Sequence, residues 1–228
     1  MQNQATIRSS GFTLVETMIV VSILSIIAGV AVPNLVASRS IANESAVVAT
    51  LRSVATAQFK FKTMGLVDVD RNGQFEFGTF GELCGATNLR GTADKLNPHV
   101  LSVKFSQTDA SGRITDHGYH IAVHLPDAAG NGLAETSGNL AAVDPLLAQD
   151  YWTVVAWPLV RGRSGKAAYF VNQSGTILKC EGGTYSGTSS IPAPGCALVG
   201  TPSANFIAAQ DLAVNTNGAD GQRWVAVN

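Results

Sequence analysis

The chain has 228 residues and a mass of 23.7 kDa, room for one ordinary domain or two small ones. Its formal net charge of -1 argues against nucleic-acid binding through a broad basic surface. Only 14% of residues are charged, where a soluble domain averages about 25%. With 23 glycines and abundant Ser, Thr, Ala and Asn, this composition suits a β-rich body with many polar loops. Four His and three Cys leave little material for a metal–thiolate cluster or a redox core.

Taken from the N-terminus, the first feature is a charge-free run from Thr17 to Ser38, flanked by Arg8 and Arg39. As a helix at 1.5 Å per residue it would reach about 33 Å, enough to cross a ~30 Å hydrocarbon layer. No second such run follows, so the chain reads as one span and then a large body outside the membrane. The run is longer than the apolar centre of a secretory signal, although Val36-Ala37-Ser38-Arg39 passes for a weak cleavage site. Just ahead of it stands Glu16, an acid whose burial in lipid is costly without a partner. The plainer alternative places Glu16 at the headgroup level, near the positive end of the helix.

The string Gly11-Phe12-Thr13-Leu14-Val15-Glu16 resembles the processing and methylation site of type IV pilins and type II secretion pseudopilins. The likeness is firm over roughly residues 8–40 and loose over the body. It implies that a membrane peptidase cuts between Gly11 and Phe12, removing residues 1–11 as a leader, and that the new N-terminal Phe12 is methylated. It also implies an assembly role for Glu16, paired with the Phe12 amine of a neighbouring subunit. Such a pair attracts far more strongly in a low-dielectric bundle than in water, and either charge left alone there is penalised. Pro33 stands where the family has a helix-bending proline; it removes one backbone donor and predicts a bend or a melted turn near Ala28–Pro33.

Helical spacing continues past the membrane. Ile41, Val47, Val48, Leu51, Val54, Ala55, Phe59 and Phe61 recur every three or four residues, which predicts one helix over 12–62 stopped by Met64-Gly65. Residues 63–228 then form a β-rich head. Asp68, Asp70, Asn72 and Glu76 stand around Gly73 in an order that resembles the opening of an EF-hand loop, so calcium is a candidate ligand. The twelfth position is Thr79, without the usual bidentate Glu, and the competing reading is an Asx and Gly turn at the end of the helix.

Strands are expected at Val100–Phe105, Tyr119–Leu125, Tyr151–Trp157, Ala167–Val171, Thr176–Lys179 and Gln222–Val227. Asn172-Gln173-Ser174-Gly175 reads as a hairpin connection, and Ala128–Leu140 and Gly182–Gly200 as loops. The architecture expected is therefore α+β: a long N-terminal helix, membrane-spanning in its first half and amphipathic in its second, packed on a mainly antiparallel sheet. The pilin resemblance implies the same arrangement. His120 and His124 share a strand face ~13 Å apart, too far to hold one zinc together, and His117 has the other parity. All three read as solvent-facing or edge residues. Trp152, Trp157 and Trp224 read as packing residues.

Of the three cysteines, Cys180 and Cys196 bracket a Gly/Ser/Pro loop, and a body outside the cytoplasm permits a disulfide. The resemblance implies that these two close the C-terminal loop found in many pilins. Cys84 is left over, either as a buried thiol or as a partner of one of the others.

No catalytic residue and no cofactor-binding residue is nominated. Gly-x-Ser-x-Gly, His-Glu-x-x-His, a P-loop and Cys-x-x-Cys do not occur. Arg161, Arg163 and Lys166 read as a solvated turn, with contact to an anionic polymer or a neighbouring subunit as the alternative. Three functional readings follow. The first is a structural, non-enzymatic subunit of a type IV pilus, with the major pilin as its leading candidate role, needing no cofactor. The second is a pseudopilin of a type II secretion system, and a remote third is a membrane-anchored binding module. The mature chain is longer than compact pseudopilins, and a disulfide loop also favours the pilus. Implied partners are further copies of the chain in a helical filament, the prepilin peptidase/methylase, an inner-membrane platform, an assembly ATPase and an outer-membrane secretin. The implied location is the inner membrane before assembly, with the body periplasmic, and an extracellular filament afterwards.

Overall fold

The computed structural model describes residues 11–136 and 138–227. The expected leader lies outside the described residues except for Gly11. A single helix, α1, runs from Leu14 to Thr63, and the chain divides into two compact units after Ser38.

In the N-terminal unit every residue from Gly11 to Leu35 is exposed, and α1 is long and apolar enough there to cross a membrane. Its serine hydroxyls are satisfied within the helix. The Ser22, Ser25 and Ser38 hydroxyls donate to the carbonyls of Met18, Val21 and Asn34, at 2.7, 2.8 and 2.9 Å. That matters in lipid, where no water replaces a missing partner. The helix passes through Gly29 and Pro33 without a melted turn, which corrects that part of the expectation at Pro33. One missing N–H does not stop a helix whose other bonds remain and whose apolar side chains offer no competing partner.

The second unit begins at Arg39. Here α1 turns amphipathic, burying Val47, Leu51, Val54, Ala55, Ala57 and Phe61 at three- and four-residue spacing. Ile41 and Phe59, expected on that stripe, stay exposed. Gln58 is fully buried and exchanges two hydrogen bonds with the backbone of Gly78, at 2.7 and 3.0 Å. The helix ends as expected: Gly65 takes φ +68°, open to glycine at little cost, and its N–H donates to the Lys62 carbonyl.

Among the described residues two short helices follow, α2 (Phe80–Leu83) and α3 (Pro145–Ala148), together with eight strands. These are β1 (Arg113–Asp116), β2 (Tyr119–Pro126), β3 (Gly132–Ala134), β4 (Thr153–Pro158), β5 (Ala168–Asn172), β6 (Leu178–Cys180), β7 (Thr216–Asn217) and β8 (Arg223–Ala226). The pairings between these strands are antiparallel, in the order β1-β2-β4-β5-β6-β8-β7. β3 joins the edge of β2 beyond β1, with His124 opposite Ala134. β1 and β2 meet through His117-Gly118, both at positive φ (46° and 74°), as a right-twisted two-residue hairpin requires.

β2, β4 and β5 are buried on both faces. One face, with Tyr119, Ile121, Val123, Val154, Ala156, Tyr169 and Val171, packs with the α1 stripe. The opposite face, with Ala122, Val155, Trp157, Ala168 and Phe170, packs under Cys196, Ala197, Leu198 and Ala213 from the C-terminal loops. The head is therefore three layers: helix, sheet and loops. All three tryptophans are fully buried, as expected.

The third layer corrects the histidine expectation. His120 and His124 are 8% and 7% exposed, because the loop layer covers the face they share. His120 packs its ring 5.4 Å from that of Trp157. The expected strand at Val100–Phe105 is also absent; residues 103–106 form a 3₁₀ turn. The Val100 and Leu101 amides both donate to the Leu83 carbonyl, so they are spent on α2 and not on a ladder.

Candidate functional site at the N-terminal segment

The segment around Glu16 is built by its own sequence. Thr13 caps α1, and Glu16, three residues on, reaches back to it. The Thr13 amide and hydroxyl donate to Glu16 Oε2 at 3.0 and 2.9 Å, while the Glu16 amide donates to Thr13 Oγ1 at 3.2 Å. This reciprocal box satisfies orphan donors of the first turn and puts a carboxylate at the positive helix end. Glu16 is thus held beside Phe12, 77% exposed, and Gly11, also exposed. No other acid lies between it and Glu44. What the site can do chemically is accept: one fixed carboxylate at the mouth of an apolar helix, next to a backbone bond open to cleavage.

Comparison with known proteins bears on this segment. Residues 7–32 match the family described as the prokaryotic N-terminal methylation motif. The chain carries that motif at the head of its apolar helix. It is also 42% identical over 60 residues to the type IV wide pilus major component of Thermus thermophilus. That stretch is 26% of this chain and 43% of the relative, so the match spans less than half of the relative's length. No solved structure matches the chain. The long apolar N-terminal helix followed by an antiparallel sheet is the pilin-like α+β arrangement expected from sequence.

The other sequence candidates separate. Asp68, Asp70 and Asn72 do come together, but around backbone amides. Asp68 accepts from the Asn72 and Gly73 amides at 3.0 and 3.1 Å, and Asn72 Oδ1 from the Gln74 amide at 2.7 Å. Glu76 turns inward, 1% exposed, where it accepts from the Val69 amide and pairs with Arg90 at 3.1 Å. Among the described residues no three His, Cys, Asp or Glu side chains are grouped to hold a metal. The Asx and Gly turn is the arrangement present at Asp68–Gly73.

Cys84, Cys180 and Cys196 are buried free thiols in the structure. Cys180 and Cys196 belong to the same cluster, where burial and then the Asp220 carboxylate push the Cys196 thiol well up. Arg161 is bound into its turn, donating from Nε to the Lys166 carbonyl at 3.2 Å and from Nη2 to the Glu181 carbonyl.

Sequence reasoning missed a buried charge network beneath α2. Arg90 pairs with Glu76 through Nη1 and with Glu82 through Nε, each at 3.1 Å, and also donates to the Phe77 carbonyl. Nearby, Glu135 accepts from the Phe80 and Gly81 amides at 2.9 and 2.8 Å. Burial pushes the Glu135 carboxyl up to about 7 against the pull of those amides. One signal was readable: Thr79-Phe80-Gly81-Glu82 has capping-box spacing, and Thr79 and Glu82 form that box.

Proposed function

We propose that this chain is a structural subunit of a type IV pilus, polymerising through its apolar N-terminal helix after cleavage between Gly11 and Phe12. The carrying observation is the pilin segment itself: the matched motif, the capped Glu16 and an exposed apolar helix. An apolar helix so exposed needs lipid before assembly and other helices after it. Cleavage ahead of it leaves the anchor on the mature chain and frees a cationic amine on Phe12. Methylation keeps that charge, so the amine of one copy remains a partner for Glu16 of another. The pairing offsets the cost of carrying Glu16 into the filament core and sets the axial step between copies. The relative from Thermus thermophilus, a pilus major component by name, supports the pilus reading.

Partners in this reading are the peptidase/methylase, a membrane platform, an assembly ATPase and a secretin, with the head periplasmic before assembly. The test is mass spectrometry of filaments sheared from cells. The expected peptide begins at N-methylated Phe12 and is abundant. Processed chain confined to the envelope would assign it to a secretion pseudopilus instead, and a chain keeping residues 1–11 would overturn both. Glu16→Ala should leave membrane insertion and processing intact and lower filament yield at least tenfold; normal yield would remove the pairing from the mechanism.

A further inference from the structure

His124, Thr153 and Asn172 form one rung across three strands of the head. His124 is the register partner of Thr153, and Thr153 of Asn172. Two residues away on each strand, Ala122, Val155 and Phe170 all belong to the cluster under the C-terminal loops. Strand alternation therefore places the whole rung on that face. The three residues are 7%, 0% and 0% exposed. Each carries a buried polar atom with no hydrogen-bond partner among the described groups: His124 Nδ1, Thr153 Oγ1 and Asn172 Nδ2. The orientation of the Asn172 amide is fixed, because its Oδ1 accepts from the Ser174 amide at 3.1 Å and the Ser174 hydroxyl at 2.8 Å. Nδ2 is then the unsatisfied end.

Three orphaned groups on one rung are improbable as independent accidents, since buried polar atoms are nearly always paired. Side chains directly opposite one another in a sheet can bond directly, as Thr115 Oγ1 and His120 Nδ1 do at 3.2 Å, but no such bond joins the three orphaned atoms of this rung. A water bonded at about 2.8 Å to each of two such atoms would satisfy both. The chemistry is complementary as well. A neutral His124 protonated at Nε2 offers Nδ1 as an acceptor, Asn172 Nδ2 is a donor, and the Thr153 hydroxyl is both.

We propose that the His124–Thr153–Asn172 rung is an internal water site, in which one or two ordered waters bridge the three side chains beneath the C-terminal loop layer. Such water typically makes about three hydrogen bonds to groups the protein leaves unpaired. It would tie the sheet to a loop layer that has little regular structure of its own. This inference is independent of the pilus reading.

The test uses the full chain in detergent micelles, labelled with ¹⁵N. Water–protein cross-relaxation at the Asn172 side-chain amide should have the sign of a long-lived bound water, and its absence overturns the proposal. Thr153→Val supplies a second sign. If water satisfies the rung, losing the hydroxyl breaks a bonded network and raises the unfolding equilibrium constant about tenfold. If the hydroxyl has no partner, the same change removes a penalty and lowers that constant, overturning the proposal. Should Thr153→Val fail to fold, the wild-type cross-relaxation still decides.

Discussion

Arg90→Gln is the perturbation for which the structure sets the largest cost in the head. The guanidinium, with a side chain 9% exposed, lies 3.1 Å from both Glu76 and Glu82, whose side chains are 0% and 1% exposed. Removing it strands two carboxylates out of water, and breaking a buried pair from one side costs about 3–5 kcal/mol. The Val69 amide on Glu76 and the Thr79 and Arg90 amides on Glu82 remain and hold the loss toward the lower part of that range. For a head of this size each kcal/mol moves Tm by about 2–4 °C, so a fall of roughly 6–16 °C is expected for a loss of about 3–4 kcal/mol. Tryptophan fluorescence is the assay, because Trp152, Trp157 and Trp224 all lie in the head and report its unfolding alone. The loss should depend on pH. Burial already holds the Glu76 carboxyl above its ordinary value while Arg90 pulls it down. Without Arg90 it rises further, so the folded variant takes up a proton more readily than the unfolded chain, and the deficit narrows as pH falls from 8 to 5. Adding Glu76→Gln to Arg90→Gln should recover part of the stability at pH 8. A deficit under about 1 kcal/mol, or one equal at both pH values, would refute the charge argument and leave only lost packing.

Two further groups set opposing pH slopes in the head. Glu135 is raised from 4.5 to about 7, so its contribution is fully present below pH 4.5 and lost as pH rises through 7. Burial lowers His124 from 6.5 to about 4, so its contribution is present above 6.5 and lost as pH falls through 4. Glu135→Gln should therefore expose a fall in Tm between pH 6.5 and 4, and a curve parallel to wild type would exclude Glu135 as the balancing group. Because Asp68, Asp70 and Asn72 already serve backbone amides, chelator or millimolar calcium should shift the Tm of the head by less than about 1 °C, within what a surface perturbation produces; a rise of several degrees with calcium would restore that site. For the chain taken from an oxidising envelope, non-reducing peptide mapping should recover Cys180 linked to Cys196. Reduction should then cost about 3 kcal/mol through the loop it reopens, and recovery of both as alkylated thiols would exclude the bridge.

What the sequence determined by itself was whatever depends on local spacing and local charge. The apolar run Thr17–Ser38, Glu16 beside Gly11-Phe12, the amphipathic stripe ending at Phe61 and the stop at Gly65 are near-neighbour features, and apart from Ile41 and Phe59, which stay exposed, the structure places them where the spacing put them. The hairpin at Asn172–Gly175 was legible for the same reason. Tertiary structure decided what distant segments do to one another. Val100–Phe105 has strand-like residues, yet Leu101 and Phe105, four apart, are the pair buried, while Val103 stays 57% exposed. Its amides went to Leu83, a partner the local pattern does not contain. His120 and His124 alternate like residues of an open sheet face, and only the loop layer from beyond Gly182 closes over them. Glu76 had the spacing of a metal ligand, and only the tertiary fold brings it within 3.1 Å of Arg90. Periodicity reports which face of an element is apolar; what covers that face is settled by contacts between residues far apart in the chain.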